Sequence, residues 1–141
     1  MIDRTFAIIK PDAVKNGTVG NIYARIMDAE FKILGSKLIR MTLAQAKEFY
    51  SMHKGKPFYT ELIEFMSSGP SMVLALEKEN AVAAWRGIIG STNPQDADEG
   101  TIRKDFASNI AENAVHGSDS NENAEKEIGF FFTESELIAN Q

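Results

Sequence analysis

Short β-branched, apolar runs alternate with stretches of helical spacing along the chain, and no other property narrows the choice of fold as much. Thr5 to Ile9 is such a run; Pro11 stops it, and it reads as a buried strand. Asn16-Gly17-Thr18 reads as a turn rather than a glycosylation site. Ile22, Tyr23, Ile26 and Met27 then recur at helical spacing, which predicts a helix from Val19 to Ala29. Phe31 to Met41, rich in Ile and Leu, reads as a second strand. Thr42, with Gln45 three residues on, is the signature of a capping box for a short helix holding Leu43, Ala46, Phe49 and Tyr50. Pro57 opens another helical stretch with Leu62, Ile63, Phe65 and Met66 as its apolar positions, and Ser68-Gly69-Pro70 closes it.

Met72 to Leu76 is a third strand, and Asn80 to Ile89 a helix that buries Val82, Trp85 and Ile89. From Gly90 to Gly100 the periodicity stops in a polar loop, the kind that is functional or disordered. Thr101 to Ile110 is weakly helical. Asp119-Ser120-Asn121-Glu122 resembles a capping box for a helix through Glu127, and Ile128 to Phe132 is expected to be the fourth strand. This order predicts an α+β fold of the ferredoxin-like class: a split βαβ with a four-stranded antiparallel sheet and helices packed on one face. The length, 141 residues, fits one domain spanning 1–141 with a core that needs no staples.

Fifteen Lys and Arg against twenty Asp and Glu leave a net charge of −5, which argues against nucleic acid or an anionic membrane as the main partner. Without cysteine there is no disulfide framework, thiol nucleophile or zinc–thiolate site. The apolar stretch near Met1 is far shorter than a signal peptide or a membrane span requires, so a cytoplasmic protein is expected.

Two histidines are available for chemistry. His53 lies in the polar turn Met52-His53-Lys54-Gly55-Lys56 with no carboxylate close in sequence, and reads as a surface residue. His116, followed by Gly117 and a capped helix, sits where backbone could approach a ligand and where free N–H groups favour an anion. The same segment also fits a histidine held in a turn by its neighbours, and the pattern alone leaves both readings open. No P-loop occurs, since Gly55-Lys56 is followed by Pro57, and no G-x-G-x-x-G follows a strand. Phosphate chemistry would therefore rest on side chains: Lys10, Arg86, Thr92 and Arg103 are the candidates, arginine being suited to bidentate contacts.

Asn113-x-x-His116-Gly-Ser118-Asp119-Ser120, followed by Glu122 and Glu127, resembles the signature of nucleoside diphosphate kinases. Further blocks arrive in the family's order: Arg4-Thr-Phe through Lys10-Pro11-Asp12, Tyr50, Lys56-Pro57-Phe58, Phe65-Met66-x-Ser68-Gly69-Pro70, Thr92-Asn93-Pro94, Gly100-Thr-Ile-Arg103 and the final aromatic pair. The resemblance implies ping-pong transfer of a γ-phosphoryl group between nucleoside tri- and diphosphates through a phosphohistidine on His116. It gives Glu127 and Ser118 the orientation of the imidazole, and Tyr50 and Arg103 the transferring group. Arg86 and Thr92 take the neighbouring phosphate, Lys10 and Asn113 the ribose, with Lys10 also near the γ-phosphate. Phe58, Leu62 and Ile110 form a base slot of broad tolerance. The resemblance further implies magnesium carried by the nucleotide and a homo-oligomer, tetramer or hexamer.

Two positions depart from the family's pattern. Glu30 stands where glycine commonly ends the helix, so either the turn has changed shape or a glutamate is strained there. Met52 replaces an acidic residue two places after the tyrosine, which bears on metal affinity.

Overall fold

The computed structural model describes residues 2–138; Met1 and 139–141, the ends of the span read as one domain, lie outside it. The chain runs β1 (Ile2–Ile9), α1 (Pro11–Lys15), α2 (Val19–Asp28), β2 (Lys32–Ile39), α3 (Leu43–Phe49), α4 (Tyr59–Met66), β3 (Ser71–Glu79), α5 (Ala81–Ile89), α6 (Ile102–Phe106), β4 (Val115–Gly117) and α7 (Asn121–Phe131). The strands form one sheet in the order β2-β3-β1-β4. Every neighbouring pair is antiparallel, so β1 and β2 run parallel with β3 between them. This is the expected ferredoxin-like split βαβ.

Helices cover both faces of the sheet, not one. Along β1, Ala7 and Ile9 join a core with Ile22 and Ile26 of α2 and Trp85 and Ile89 of α5. Phe6 and Ile8 join a second core with Phe49 of α3, Ile63 and Met66 of α4 and Ile128 of α7. The cause is visible in β1 and β3 themselves: Phe6-Ala-Ile-Ile9 and Val73-Leu-Ala-Leu76 are unbroken apolar runs, and successive residues point to opposite faces.

The fourth strand is not Ile128 to Phe132. That segment continues α7, which Ser120 caps by accepting the Asn123 N–H and which runs to Phe131. Ala124 and Ile128, four residues apart, put one helical face into the core; a short apolar run has no periodicity that separates helix from strand. The fourth strand is instead the three-residue segment that carries His116, paired to β1 with Ile8 opposite His116.

Helix α3 begins as expected, with Thr42 and Gln45 bonded reciprocally at 3.0 and 2.9 Å. Helix α2 ends in a Schellman turn: Phe31 N–H reaches the Ile26 carbonyl (3.3 Å) and Glu30 N–H that of Met27 (3.0 Å). Glu30 holds φ 65°, so the left-handed turn is kept and the glutamate bears the strain. No helix among the described residues is long and apolar enough to cross a membrane.

Candidate active site

Strand β4 is short, but its pairing to the centre of the sheet fixes His116 on the face that carries Phe6 and Phe49, whose rings lie edge-on to the imidazole at 6.0 and 5.6 Å. From the other face Trp85 donates its indole N–H to the His116 carbonyl (3.1 Å). Gly117 belongs to this packing and not to a ligand, because a Cβ there would meet Trp85 Cδ1 at 2.7 Å. The imidazole Nε2 lies 2.9 Å from Oε1 of Glu127, the residue before the buried Ile128 on α7. Ser118 Oγ donates to the same carboxylate oxygen (2.7 Å) and accepts the Phe6 N–H (3.3 Å). Glu127 therefore sets the ring orientation, and among the described residues no hydrogen bond takes Nδ1. Tyr50, at the end of α3, is buried with its hydroxyl unpartnered. Burial, and then the Glu127 carboxylate, raises its pKa, so it remains a neutral phenol able to donate.

A second group is laced together at the end of β1. Lys10 is buried and donates from Nζ to Asn113 Oδ1 (2.9 Å); Asn113 Nδ2 donates to the Thr92 carbonyl (3.3 Å). Burial and the neighbouring Arg103 pull the Lys10 pKa down to about 8, against the opposing charge of Asp12. Arg103, on α6, is buried and donates to the carbonyls of Gly90 and Val115, each at 2.9 Å, leaving Nε without a partner. Burial, and then the Arg86 cation, brings its pKa down to about 10, which still leaves it charged at neutral pH. Arg25 of α2 braces this region by pairing with Asp105 and donating to the Gly100 carbonyl.

The remaining predicted residues lie in the open, except Leu62. Arg86 on α5 is exposed and borders a shallow depression of about 460 Å³ shared with Asp119 and Asn121. The Thr92 side chain is exposed in the loop after α5. Phe58 is 47% exposed at the N-terminus of α4, with half-buried Leu62 one turn on. Ile110 is exposed in the loop before β4, and no hydrogen bond or ring contact joins it to those two.

Two further residues belong to the site without being predicted for it. His53 is not an isolated surface residue: its ring sits between those of Tyr50 (6.4 Å) and Phe58 (5.2 Å). Its pKa is lowered by burial, by Lys56 and by His116. Its place midway between two predicted site residues in sequence was the available signal. Asp12 is buried and accepts the Ala114 N–H (3.1 Å), a role only its position after Lys10 hinted at. Among the described residues no group of three or more His, Asp or Glu side chains converges where it could hold a metal ion.

A family model described as Nucleoside diphosphate kinase matches residues 3–137. Proteins named nucleoside diphosphate kinase from Salinibacter ruber and Geotalea uraniireducens are 53% and 55% identical, over 98% and 97% of this chain and 97% and 100% of theirs. Among solved structures, the Aquifex aeolicus nucleoside diphosphate kinase superposes with a TM-score of 0.96 at 41% identity, covering 98% of this chain and all of that one. The Halobacterium salinarum nucleoside diphosphate kinase, solved in complex with CDP, gives 0.95 at 36% identity, covering all of this chain and 94% of that one.

Proposed function

Since the chain belongs to the nucleoside diphosphate kinase family, and is thus a phosphotransferase that binds nucleotides, we propose that it works by ping-pong through a phosphohistidine on His116. The observation that carries this reading is the direction of the imidazole: Glu127 engages Nε2 and leaves Nδ1 with a free lone pair. In the first half-reaction that lone pair forms a P–N bond to the γ-phosphorus while the bond to the bridging β-oxygen breaks. The nucleoside diphosphate leaves with the electron pair. A second diphosphate then attacks the phosphohistidine and reverses these steps. Imidazole suits the task because its unprotonated ring nitrogen is itself a nucleophile, so the attack needs no strong base. An equivalent anhydride is broken and formed, so catalysis consists of positioning and charge neutralisation.

In this reading Glu127 and Ser118 orient the imidazole and stabilise the positive charge that develops on attack. The unpartnered Tyr50 hydroxyl and Arg103 Nε are donors without an acceptor of their own, and we assign both to the transferring phosphoryl group. Arg86 and Thr92, both exposed, take the neighbouring phosphate. Lys10 and Asn113, already paired, reach the ribose hydroxyls. Phe58 and Leu62 hold the base, with Ile110 closing over it from the loop. Stacking on an exposed ring discriminates little among bases, which supports broad nucleotide tolerance. Magnesium would come with the nucleotide and would neutralise charge on its phosphates, as is common where proteins offer few ligands of their own. We also assign the chain to a homo-oligomer, tetramer or hexamer. Leu38 on the edge strand β2 and Met27 on α2 are about 60% exposed, apolar side chains of the kind a second copy would cover.

Incubation with γ-labelled ATP tests the reading. The label should be acid-labile and alkali-stable, map to His116, and discharge on addition of any nucleoside diphosphate. His116→Ala should abolish it and leave nucleotide binding in place. Label persisting in that variant would falsify the assignment.

A further inference from the structure

We propose that Asp12 is a positioning residue for phosphoryl transfer: its carboxylate locks the turn that brings Asn113 onto Lys10 and supplies the negative charge facing that buried cation. The inference rests on the reading of Lys10 and Asn113 as nucleotide contacts. Pro11 opens α1 and places Asp12 in its first turn, 5% exposed. From there three bonds lace residues 10–12 to residues 113–114. The Lys10 N–H donates to the Ala114 carbonyl (2.8 Å), the Ala114 N–H donates to Asp12 Oδ2 (3.1 Å), and Lys10 Nζ donates to Asn113 Oδ1 (2.9 Å).

Ala114 is where the strain sits. It has a φ of 71°, and the Val115 N–H reaches back to the Asn113 carbonyl at 2.8 Å. That closes a three-residue turn about a positive-φ centre, the rare and strained γ form, around a residue that has a Cβ. Strain of this kind persists only where the surroundings over-determine it. Asp12 and the Lys10 backbone hold the two polar groups of Ala114, and His116 is two residues further on. Remove the carboxylate and the Ala114 N–H is buried without an acceptor, so the turn relaxes and Asn113 moves off Lys10.

Charge adds a separate handle. The groups facing Lys10 are Asp12 from α1 and Arg103 from α6, with neutral Asn113 bonded to it. Arg103 and burial lower the Lys10 pKa to about 8, and Asp12 alone opposes them. The second carboxylate oxygen, Oδ1, is buried and has no hydrogen-bond partner. Among the described residues no cation pairs with the carboxylate directly, so its charge acts on Lys10 through the low-dielectric interior.

Asp12→Asn separates the two roles, because an amide oxygen still accepts the Ala114 N–H while the charge is lost. With ¹³C-labelled lysine, the Lys10 resonance, assigned by its loss in Lys10→Arg, should titrate about one pH unit lower in the folded Asp12→Asn protein. The alkaline limb of kcat/KM should move down with it, and the deficit should shrink as the pH is lowered towards 6. Asp12→Ala, which loses the acceptor as well, should lower kcat/KM about tenfold or more at every pH. A Lys10 midpoint unchanged in folded Asp12→Asn overturns the proposal, as does a lower melting temperature with no movement of the alkaline limb. Should Asp12→Ala fail to fold, the Asn variant decides. The Lys10 titration needs no turnover, so it judges Asp12 even if His116 carries no phosphoryl group.

Discussion

The end of the site around His116 is buried and tied to the sheet, whereas the end around Phe58 stands largely in solvent. Lys10, Tyr50, Arg103, Asn113 and Ser118 are each less than a tenth exposed, and all except Tyr50 are hydrogen-bonded to backbone or to a neighbouring side chain. Phe58 and Ile110 are 47% and 60% exposed, and Arg86 and Thr92 lie open on the surface. The division fits the proposed chemistry. An in-line transfer depends on geometry to within a fraction of an ångström, which only groups fixed by several bonds can provide. Holding a base needs only a flat apolar surface, and a loose one accepts every base.

Arg103→Ala strikes this division hardest. The guanidinium loses two bonds to the Gly90 and Val115 carbonyls, and Val115 is the neighbour of His116 in β4. Phosphoryl transfer should fall about 10³-fold or more, as when a cation on the transferring group is removed. Stability should fall by about 2–4 kcal/mol, since two charge-assisted bonds are lost, one of them to the carbonyl of the buried Val115. Single-turnover kinetics alongside thermal unfolding separates the two losses. A variant that is slow but melts like the parent would break the contrast, because the buried end would then not be held by the groups that do the chemistry.

How far each end can be read in the sequence differs for the same reason. The strands β1 and β3, the capped helix α3 and the helices α2 and α5 follow from apolar spacing and cap residues that act locally. Strand β4 does not: Val115-His-Gly117 is three residues long with a polar centre, and it is a strand only because β1 offers it an edge. The run Ile128 to Phe132 looked more like a strand, yet the Ser120 cap and the helical face of Ala124 and Ile128 decide for helix. Without the resemblance, His116 was evenly balanced between turn and site. What could not be read at all were partners far apart in sequence, such as Asp12 with Ala114 and Gly117 with Trp85, since a tertiary hydrogen bond or a close approach leaves no local pattern.

Ser118→Ala sharpens the comparison within the buried end. The hydroxyl holds Glu127 at 2.7 Å, so its loss frees the carboxylate that orients the imidazole while keeping Glu127 itself. A bond of this kind, to a charged group, contributes about 1.5–3 kcal/mol, and turnover should drop roughly 10- to 100-fold. The nucleotide Kd should stay where it is. Equal damage to Kd would mean that Ser118 shapes the pocket and not the nucleophile.

At the open end, Phe58→Ala should behave in the opposite way. Stacking contributes about 1–3 kcal/mol, and a ring nearly half exposed belongs near the lower figure, so every nucleotide should bind about five- to tenfold more weakly. Turnover at saturation should be nearly unchanged, and the melting temperature should hardly move, as for most surface substitutions. Titration with purine and pyrimidine diphosphates checks this; a loss confined to one base would show recognition by something other than the ring face.

The smallest effect lies outside both ends and calibrates them. Glu30 occupies the left-handed residue of the Schellman turn after α2, at φ 65°, with its side chain in solvent. The conformation costs an L residue about 1–2 kcal/mol, which glycine escapes. Glycine in turn loses more chain entropy on folding, by about 0.5–1 kcal/mol. The difference leaves Glu30→Gly more stable by roughly 0.5–1 kcal/mol, a rise of about 2–4 °C in Tm for a domain of this size. Because Glu30 touches neither His116 nor Phe58, turnover and nucleotide Kd should both match the parent. An altered Kd or turnover would mean that strain at the end of α2 reaches the site, and the route would be through Arg25, which joins that helix to the segment carrying Arg103.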